Sequence, residues 1–309
     1  MQEIAIGDII KQRRIKLRYT QQQLCEGICS STTLSRIENG GQVPSRHVIA
    51  ALFQRLGMPD NRFFLIISQN DAYIESLQKE IVSLNVDRDR SNTENASKLK
   101  EQIQDKLKYL ESIIDDDDLL MKQFIIRIRA NIADNFADQI DELIKALKIT
   151  VPDFSLTDIA NGLYTFEEIK IINHIAGIYR EKGQTEITLS MMEQLFTYIK
   201  QHLSEVPSRR YMTLIAMNYA RILYEVKSYE KALAIAKYGQ DACVQYGCYE
   251  NLGGLLEMEA KCRETLGQHD IAIRLFRQAY YLHEATNNEK GLERIKELIK
   301  YYNITDLIL

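Results

Sequence analysis

The sequence predicts an all-α protein with two domains, a small N-terminal module of five helices and a longer array of helix pairs. Hydrophobic residues recur at three- and four-residue spacing, which places them on one face of a helix. Beyond residue 70 the chain has only two prolines, Pro152 and Pro207, and no persistent strand-like alternation. A stretch near the C-terminus also resembles one found 40 residues later. The 309 residues, 45% of them hydrophobic, suffice for two cores.

The composition disfavours a membrane protein, a secreted protein and an enzyme. No window approaches the ~20 hydrophobic residues that a membrane span needs. At the start of the chain the charged residues follow the hydrophobic ones, which is the reverse of a signal peptide. The five cysteines lack the paired spacing of a zinc site or a disulfide framework. No nucleophile motif, phosphate loop or zinc-protease motif occurs, so we expect a cytoplasmic protein with reduced cysteines, no cofactor and no catalytic site.

Charge divides the chain into two unlike parts. Residues 1–68 hold nine Lys and Arg against five Asp and Glu, a net charge of +4, whereas the remainder holds 30 against 38, a net charge of −8. A small basic module ahead of a large acidic one suggests a nucleic-acid partner for the first.

Two short helices joined by a tight turn are predicted by the segment TQQQLCEGICSSTTLSRIENG, which begins at Thr20. Thr20 and Gln23 have the spacing of a capping box, so the first helix begins directly after Thr20. Ser30 or Ser31 caps the second helix, and Asn39-Gly40 ends it through left-handed backbone conformations. The two helices share a small aliphatic core.

Flanking helices complete a five-helix module over residues 1–68. An earlier helix carries Ile6, Ile10 and Leu17, and a later one begins at Pro44-Ser45, with an inner face made of Val48, Ile49, Leu52, Phe53 and Leu56. A tightly turned helix pair inside such a module describes a helix-turn-helix domain.

The outer face of the second short helix is polar, and it consists of Ser31, Thr32, Ser35 and Arg36. Short hydrogen-bonding side chains and a guanidinium can reach base edges in a major groove. The sequence therefore predicts DNA binding at this face. The alternative is an amphipathic bundle without a ligand.

These residues resemble a known family of DNA-binding domains. Gly7, Arg14, the Thr20-Gln21 pair and the run TLSRIENG are similar to the Xre-type, phage-repressor-like helix-turn-helix. The shortened turn EGICSSTTLSRIENG is most similar to the peptide-responsive PlcR, Rgg and PrgX regulators of Gram-positive bacteria. Arg13 and Gly41 depart from the pattern, which usually has an apolar residue and a lysine there.

The resemblance implies roles for individual residues of the head. Gln21 and Asn39 would contact phosphates, whereas Ser31, Thr32 and Arg36 would face bases. Members of the family also pair the position of Arg14 with that of Glu38, which would hold the first helix on the third.

The middle of the chain contains two polar segments. NVDRDRSNTENAS (residues 85–97) is expected to be a linker or a long turn, so we divide the chain into the helix-turn-helix domain (1–68), a linker helix with a polar turn (69–98) and a helical-repeat domain (99–309). The four acids at 115–118 precede LLMKQF and are expected to cap a helix, because negative charge is favoured at a helix N-terminus. The alternative is a metal site.

Internal repetition appears toward the C-terminus. YARILYEVKSYEKALAIAKYG (219–239) aligns with EAKCRETLGQHDIAIRLFRQA (259–279), and IAGIYREKGQTEITLSMMEQL (175–195) is a fainter copy. Small residues recur at aligned positions, as in Ala232 and Ala272. The copies resemble tetratricopeptide repeats, with the helices of residues 99–148 as degenerate copies. Five or six helix pairs would then stack into a right-handed α-solenoid with a concave groove.

The combination of head and solenoid is similar to PlcR-like quorum-sensing regulators, which bind short re-imported peptides in the groove. The first helix of each pair lines the groove, and registering the copies on Ala176, Ala220 and Ala260 selects one stripe of residues. These are Asn173 and Arg180, then Met217, Arg221 and Tyr224, then Glu257, Lys261 and Glu264. The side-chain amide of Asn173 can bind a peptide backbone as both donor and acceptor. Arg180 or Arg221 could form a bidentate pair with the C-terminal carboxylate of the peptide. Met217 and Tyr224 offer apolar contact to its side chains.

We expect a homodimer, joined mainly through the solenoid, on double-stranded DNA. A head with a net charge of +4 needs a second head for tight binding, which implies an inverted repeat with half-sites about 34 Å apart or a multiple of that. Two alternatives stay open. The solenoid could bind a protein partner such as a sigma or anti-sigma factor, or the repeats could be the main functional part, as in response-regulator-binding proteins, with a secondary head.

Overall fold

The computed structural model describes residues 6–58, 69–91, 93–116, 118–133, 139–202 and 210–302, and these ranges contain fifteen α-helices. Four of the helices form the head: α1 (Ile6–Lys16), α2 (Gln21–Cys25), α3 (Ser31–Glu38) and α4 (Arg46–Arg55). Five helices were predicted for this module, and its residues 59–68 lie outside the described residues.

Local sequence sets the ends of the head helices as predicted. The Thr20 hydroxyl accepts from the Gln23 amide at 3.1 Å, and the Gln23 side chain accepts from the Thr20 amide at 2.8 Å, which completes the capping box. Ser30, rather than its neighbour, caps α3 by accepting from the amide three residues on. Gly40 has a φ of +71°, whereas Asn39 has a φ of −104°, so only the glycine is left-handed.

The core of the head lies among its four helices and is built from the predicted aliphatic residues. Leu24 of α2 and Leu34 of α3 are fully buried, as are Leu52 and Phe53 of α4. A Cβ on Gly7 would lie 1.9 Å from the carbonyl oxygen of Ile37, so α1 and α3 approach closely only because residue 7 has no side chain.

The remaining eleven helices form the repeat domain. They are α5 (Gln69–Arg90), α6 (Thr93–Ile113), α7 (Leu119–Ile132), α8 (Gln139–Lys148), α9 (Phe166–Glu181), α10 (Thr185–His202), α11 (Arg210–Glu225), α12 (Tyr229–Tyr246), α13 (Leu252–Thr265), α14 (His269–Ala285) and α15 (Glu289–Tyr301). The described chain thus has five helix pairs and a final helix, within the five or six pairs predicted.

The long turn expected at residues 85–97 is wrong, because α5 continues to Arg90 and α6 begins at Thr93. Two polar side chains of this segment bond to α7, whereas others, such as Asp87 and Asp89, are exposed. Asn85 accepts from the Asn131 amide at 2.9 Å, and Arg88 donates to the Asn131 carbonyl at 3.1 Å. Leu77 and Ile81 of α5 also pack in one core cluster with residues of α6 and α7.

The acidic run before α7 caps that helix, as predicted. Asp118 accepts from the Met121 amide at 3.0 Å. No group of three metal-ligating side chains occurs in the part of the chain that the structure describes.

The first helices of successive pairs form the inner layer of the solenoid. Each helix from α9 to α15 packs on the next, and α9, α11, α13 and α15 also contact one another in series. The small residues used to align the repeats are buried, namely Ala176, Ala220, Ala232, Ala260 and Ala272. The last helix reaches the first of the solenoid, since Lys290 of α15 donates to the carbonyl of Arg88 at 3.3 Å.

Arg55 of α4 joins the head to the solenoid. This arginine is only 4% exposed and donates to the carbonyls of Leu24 and Thr150, at 3.2 and 3.0 Å. Its guanidinium also lies 3.8 Å from the carboxylate of Glu168, which completes the capping box of α9. A direct chain of polar contacts thus runs from the end of α2 to the start of α9.

Among the residues that the structure describes, no helix is both long enough and apolar enough to span a bilayer.

Candidate functional sites in the head and the groove

The polar face of α3 is open to solvent. Ser31, Thr32 and Arg36 are exposed, and Ser35 is half-buried. Their spacing places them on one side of the helix, opposite the buried Leu34. The head docks on the solenoid through Arg55 of α4 and Gly27 after α2, so its own repeat domain leaves this face uncovered.

Arg36 carries the charge of this face. It makes no hydrogen bond or ion pair with any part of the chain that the structure describes, so all five of its N–H donors are available. Short hydroxyl side chains beside a free guanidinium suit the acceptors on base edges.

The two side-chain amides expected to hold phosphates already have partners within the head. Gln21 donates to the Glu38 carboxylate at 2.8 Å. Asn39 donates to the Ser35 carbonyl at 2.9 Å and accepts from the Lys11 ammonium at 3.2 Å. Lys11 is a cation beside α3 that the sequence reasoning missed. The sequence did contain a signal for it, because Lys11 lies one helical turn after Gly7 in α1.

The ion pair between Arg14 and Glu38 is present, as the resemblance implied. Its two bonds measure 2.6 and 2.8 Å, and Glu38 is 1% exposed. Burial alone would raise the pKa of Glu38, but the hydrogen bonds from Arg14 and Gln21 hold that pKa below its ordinary value. The pair fastens α1 to α3 and thereby sets the position of the exposed face.

Both departures from the family pattern have local explanations. Arg13 turns its guanidinium to the end of α4, where it donates to the Leu56 carbonyl at 3.1 Å. The amide of Gly41 donates to the Arg36 carbonyl at 2.8 Å and so completes the last turn of α3.

In the solenoid, two asparagines meet across the inner layer. The Asn218 amide of α11 donates to the Asn173 oxygen of α9 at 2.9 Å, and both residues are half-buried. The sequence reasoning named Asn173 and missed Asn218, because the repeat alignment selected Met217 at that level. The sequence did contain a signal for Asn218, which is a polar side chain among the hydrophobic residues of the first helix of a pair.

Arg180 and Met217 lie at the predicted level but touch the protein itself. Arg180 forms an ion pair of 2.8 Å with Glu225, across α9 and α11. Met217 packs on α13, since a Cβ on Gly254 would lie 2.4 Å from its sulfur.

Arg221 differs from its neighbours because it is half-buried and bonded to nothing within the described ranges. Burial, together with the positive charges of Arg180 and Arg294, lowers the pKa of Arg221 from its ordinary value. The carboxylates of Glu257 and Glu225 offset this effect only in part, and neither is bonded to Arg221.

Tyr224 and Lys261 join three of the inner helices. The Tyr224 hydroxyl lies 3.1 Å from the Thr265 hydroxyl and 3.2 Å from that of Tyr302. The Lys261 ammonium sits 4.3 Å from the centre of the Tyr224 ring, in a cation–π contact.

Glu257 is not open to the groove, which corrects its expected place on the stripe. It is 4% exposed and accepts from Arg294 at 2.6 and 2.7 Å and from His283 at 2.5 Å. Its carboxylate therefore joins α13 to α14 and α15. Glu264 likewise contacts its own chain, through His269 at 2.8 Å.

Basic side chains also lie near α9. His174 of α9 is half-buried near Arg88 and Arg127, and burial together with these two charges lowers its pKa to about 4. Arg127 itself pairs with Glu167. The inner layer thus combines half-buried amides, aromatic rings and arginines.

The fold and the two sites define a class of protein, a helix-turn-helix head carried on a tetratricopeptide-like solenoid. A helix-turn-helix domain model matches residues 5–63, and the model of the RNPP family C-terminal domain matches residues 95–292. The chain belongs to the RNPP family.

Solved structures with the same architecture cover nearly the whole chain. Bacillus thuringiensis PlcR, in complex with the peptide PapR7 and DNA, matches with a TM-score of 0.60 and 20% identity, over 94% of this chain and 98% of that one. ComR from S. thermophilus, in complex with DNA and its signalling peptide ComS, matches with a TM-score of 0.57 and 14% identity, over 97% and 100%. At these identities the likeness establishes the fold. Among curated proteins, no sequence matches.

Proposed function

We propose that this protein is a transcription regulator that binds an operator through α3 and is controlled by a short signalling peptide in the groove of its solenoid. The main observation behind this proposal is the exposed polar face of α3, on which Arg36 has no partner among the described residues. The solenoid adds two half-buried asparagines, Asn173 and Asn218, on its inner layer. PlcR and ComR, which share the architecture, are described in complex with both DNA and a peptide.

On DNA, the exposed face of α3 would enter the major groove. Arg36 would donate two parallel hydrogen bonds to a guanine, and Ser31 and Thr32 would contact neighbouring bases. Lys11, Gln21 and Asn39 would face the phosphates, where they fix orientation and carry no sequence information. Two heads of a homodimer would read the two halves of an inverted repeat.

In the groove, Asn173 and Asn218 would bind the backbone of an extended peptide. Each amide keeps at least one donor and one acceptor site beyond the bond that joins them, and a peptide backbone needs both. Tyr224 and Met217 supply apolar surface for its side chains.

The DNA half of the proposal is tested by selecting operators from random duplexes and measuring the affinity of Arg36→Ala. The loss should be about 1–3 kcal/mol on the selected operator and smaller on random DNA, because a lost base contact removes specificity. Arg274→Ala removes one exposed arginine from α14 of the solenoid and is the matched control. Equal losses for the two variants on both DNAs would refute the reading role of α3.

The peptide half is tested with a pool of short random-sequence peptides, by affinity selection and mass spectrometry. The parent protein should retain a defined subset, and Asn218→Ala should retain less of it while melting at the same temperature. If the folded protein selects DNA but retains no peptide, control by a peptide is refuted and DNA binding is not.

A further inference from the structure

Arg221 stands between two closed ion pairs of the inner layer. On one side, Arg180 of α9 is neutralised by Glu225 of α11 at 2.8 Å. On the other, Arg294 of α15 is neutralised by Glu257 of α13 at 2.6 Å. Each carboxylate is thus committed to another arginine, and Arg221 has no bonded partner in the described part of the chain.

This arrangement leaves one positive charge of the inner layer without a carboxylate bonded to it. The guanidinium is half-buried, so water solvates it less well than at the surface, and repulsion from Arg180 and Arg294 outweighs the attraction of Glu257 and Glu225. Half-burying a cation without a partner is unfavourable, and a carboxylate from outside would relieve that penalty through a bidentate contact.

The asparagine pair lies next to this charge. Asn218 precedes Arg221 by three residues on α11, which is a rise of about 4.5 Å along nearly the same helix face. A peptide whose carboxylate reaches Arg221 would therefore place its adjacent peptide bonds beside Asn173 and Asn218.

We propose that Arg221 selects peptides by a carboxylate, and that Arg180, which the sequence left as an equal candidate, does not take this role. The inference rests on the proposed peptide function and specifies the chemistry of the ligand. The carboxylate is either the free C-terminus of the peptide or an Asp or Glu side chain near it.

The test uses one pool of short random-sequence peptides prepared in two forms, with a free C-terminal acid or a C-terminal amide. Affinity selection and mass spectrometry then compare retention of the two forms by the full-length protein and by Arg221→Met. Arg180→Met is the matched control, because it removes an arginine whose charge is already paired.

The parent protein should retain the acid form about tenfold or more over the amide form, since a hydrogen-bonded charge contributes that much to affinity. Arg221→Met should lose the preference, and Arg180→Met should keep it. If amide peptides are retained only when they contain Asp or Glu, the carboxylate comes from a side chain.

Two other outcomes separate the possible failures. Equal retention of acids and amides by the parent, without enrichment of acidic residues, would overturn the role of Arg221 and leave peptide binding intact. Retention of neither form would refute the proposed peptide function itself. The comparison within the parent protein needs no variant, so a misfolded Arg221→Met would not prevent a decision.

Discussion

Glu38 in the head and Glu257 in the solenoid occupy the same kind of environment. Each is at most 4% exposed, and each accepts two hydrogen bonds from one arginine. Each carboxylate also has a third donor. For Glu38 it is the side-chain amide of Gln21, and for Glu257 it is the imidazole ring of His283. In both, the bonds from the arginine keep the pKa of the carboxyl below its ordinary value although burial opposes this.

The two sites differ in how far apart their partners lie along the chain. Arg14 precedes Glu38 by 24 residues within one small motif, whereas Arg294 follows Glu257 by 37 residues and lies two helices further on. The first pair lies within one short motif, so a resemblance of that motif could name it. The repeat alignment placed Glu257 on an open stripe, because it had no information about the helix that closes over it.

Replacing Glu257 should have the largest effect. Glu257→Ala would leave Arg294 without its counter-charge and His283 without its acceptor, and we expect a loss of about 3–5 kcal/mol in the free energy of unfolding. Chemical denaturation of the full-length protein measures it. Glu225→Ala is the matched control, since its pair with Arg180 is about a third exposed and should cost at most about 1 kcal/mol. Equal and small losses would mean that the carboxylate of Glu257 is open after all.

Replacing Glu38 should come next. Glu38→Ala strands Arg14, which is 12% exposed, and we expect a cost of about 3–5 kcal/mol confined to unfolding of the head. The double change Arg14→Met with Glu38→Leu should recover much of that loss, because it removes both charges together. A neutral Glu38→Ala in thermal melts would contradict the buried pair.

The junction between head and solenoid is tested at Gly27. This residue has a φ of +66°, and an added Cβ would lie 2.0 Å from the carbonyl oxygen of Thr150. Gly40 has nearly the same backbone, with a φ of +71° and no atom within 4 Å of its Cβ position. We expect about 1–2 kcal/mol for Gly40→Ala, from backbone strain alone, and about 2–4 kcal/mol for Gly27→Ala.

Limited proteolysis between the two domains provides the second measurement for this pair. Gly27→Ala should speed cleavage because it separates the head from Thr150, and Gly40→Ala should not. Identical behaviour of the two variants would mean that the junction does not contribute to stability.

The smallest effect should be a pH dependence at His174. Its pKa of about 4 lies below the ordinary value of 6.5, so the unfolded chain binds a proton between these values and the folded protein does not. Stability should therefore be unaffected by His174 above pH 6.5 and should fall as the pH drops toward 4. Since the ring is partly exposed, we expect a difference of about 1–2 kcal/mol between the parent and His174→Gln. Parallel stability curves for both proteins across this range would contradict it.

The sequence alone determined the features of this protein that depend on neighbouring residues. The capping box at Thr20, a serine cap at Ser30 or its neighbour and an acidic cap before α7 follow from hydrogen bonds that span three residues, and the buried alanines of the repeats follow from helical periodicity. The division into head and solenoid is equally visible, because a helix-turn-helix and a helix pair are each specified by a short segment.

Only the tertiary structure decided which charged groups are available to a ligand. Arg180, Arg221 and Glu257 lie on the same stripe of the repeat pattern, and yet one arginine is paired, one has no bonded partner among the described residues, and the glutamate is buried under α14 and α15. The tertiary structure also shows that α5 continues to Arg90 in the polar segment at residues 85–97, where Asn85 and Arg88 bond to Asn131 of α7. A carboxylate pairs with the donor that the packing of other helices brings close to it. The distance between that donor and the carboxylate cannot be predicted from the spacing of residues along one helix.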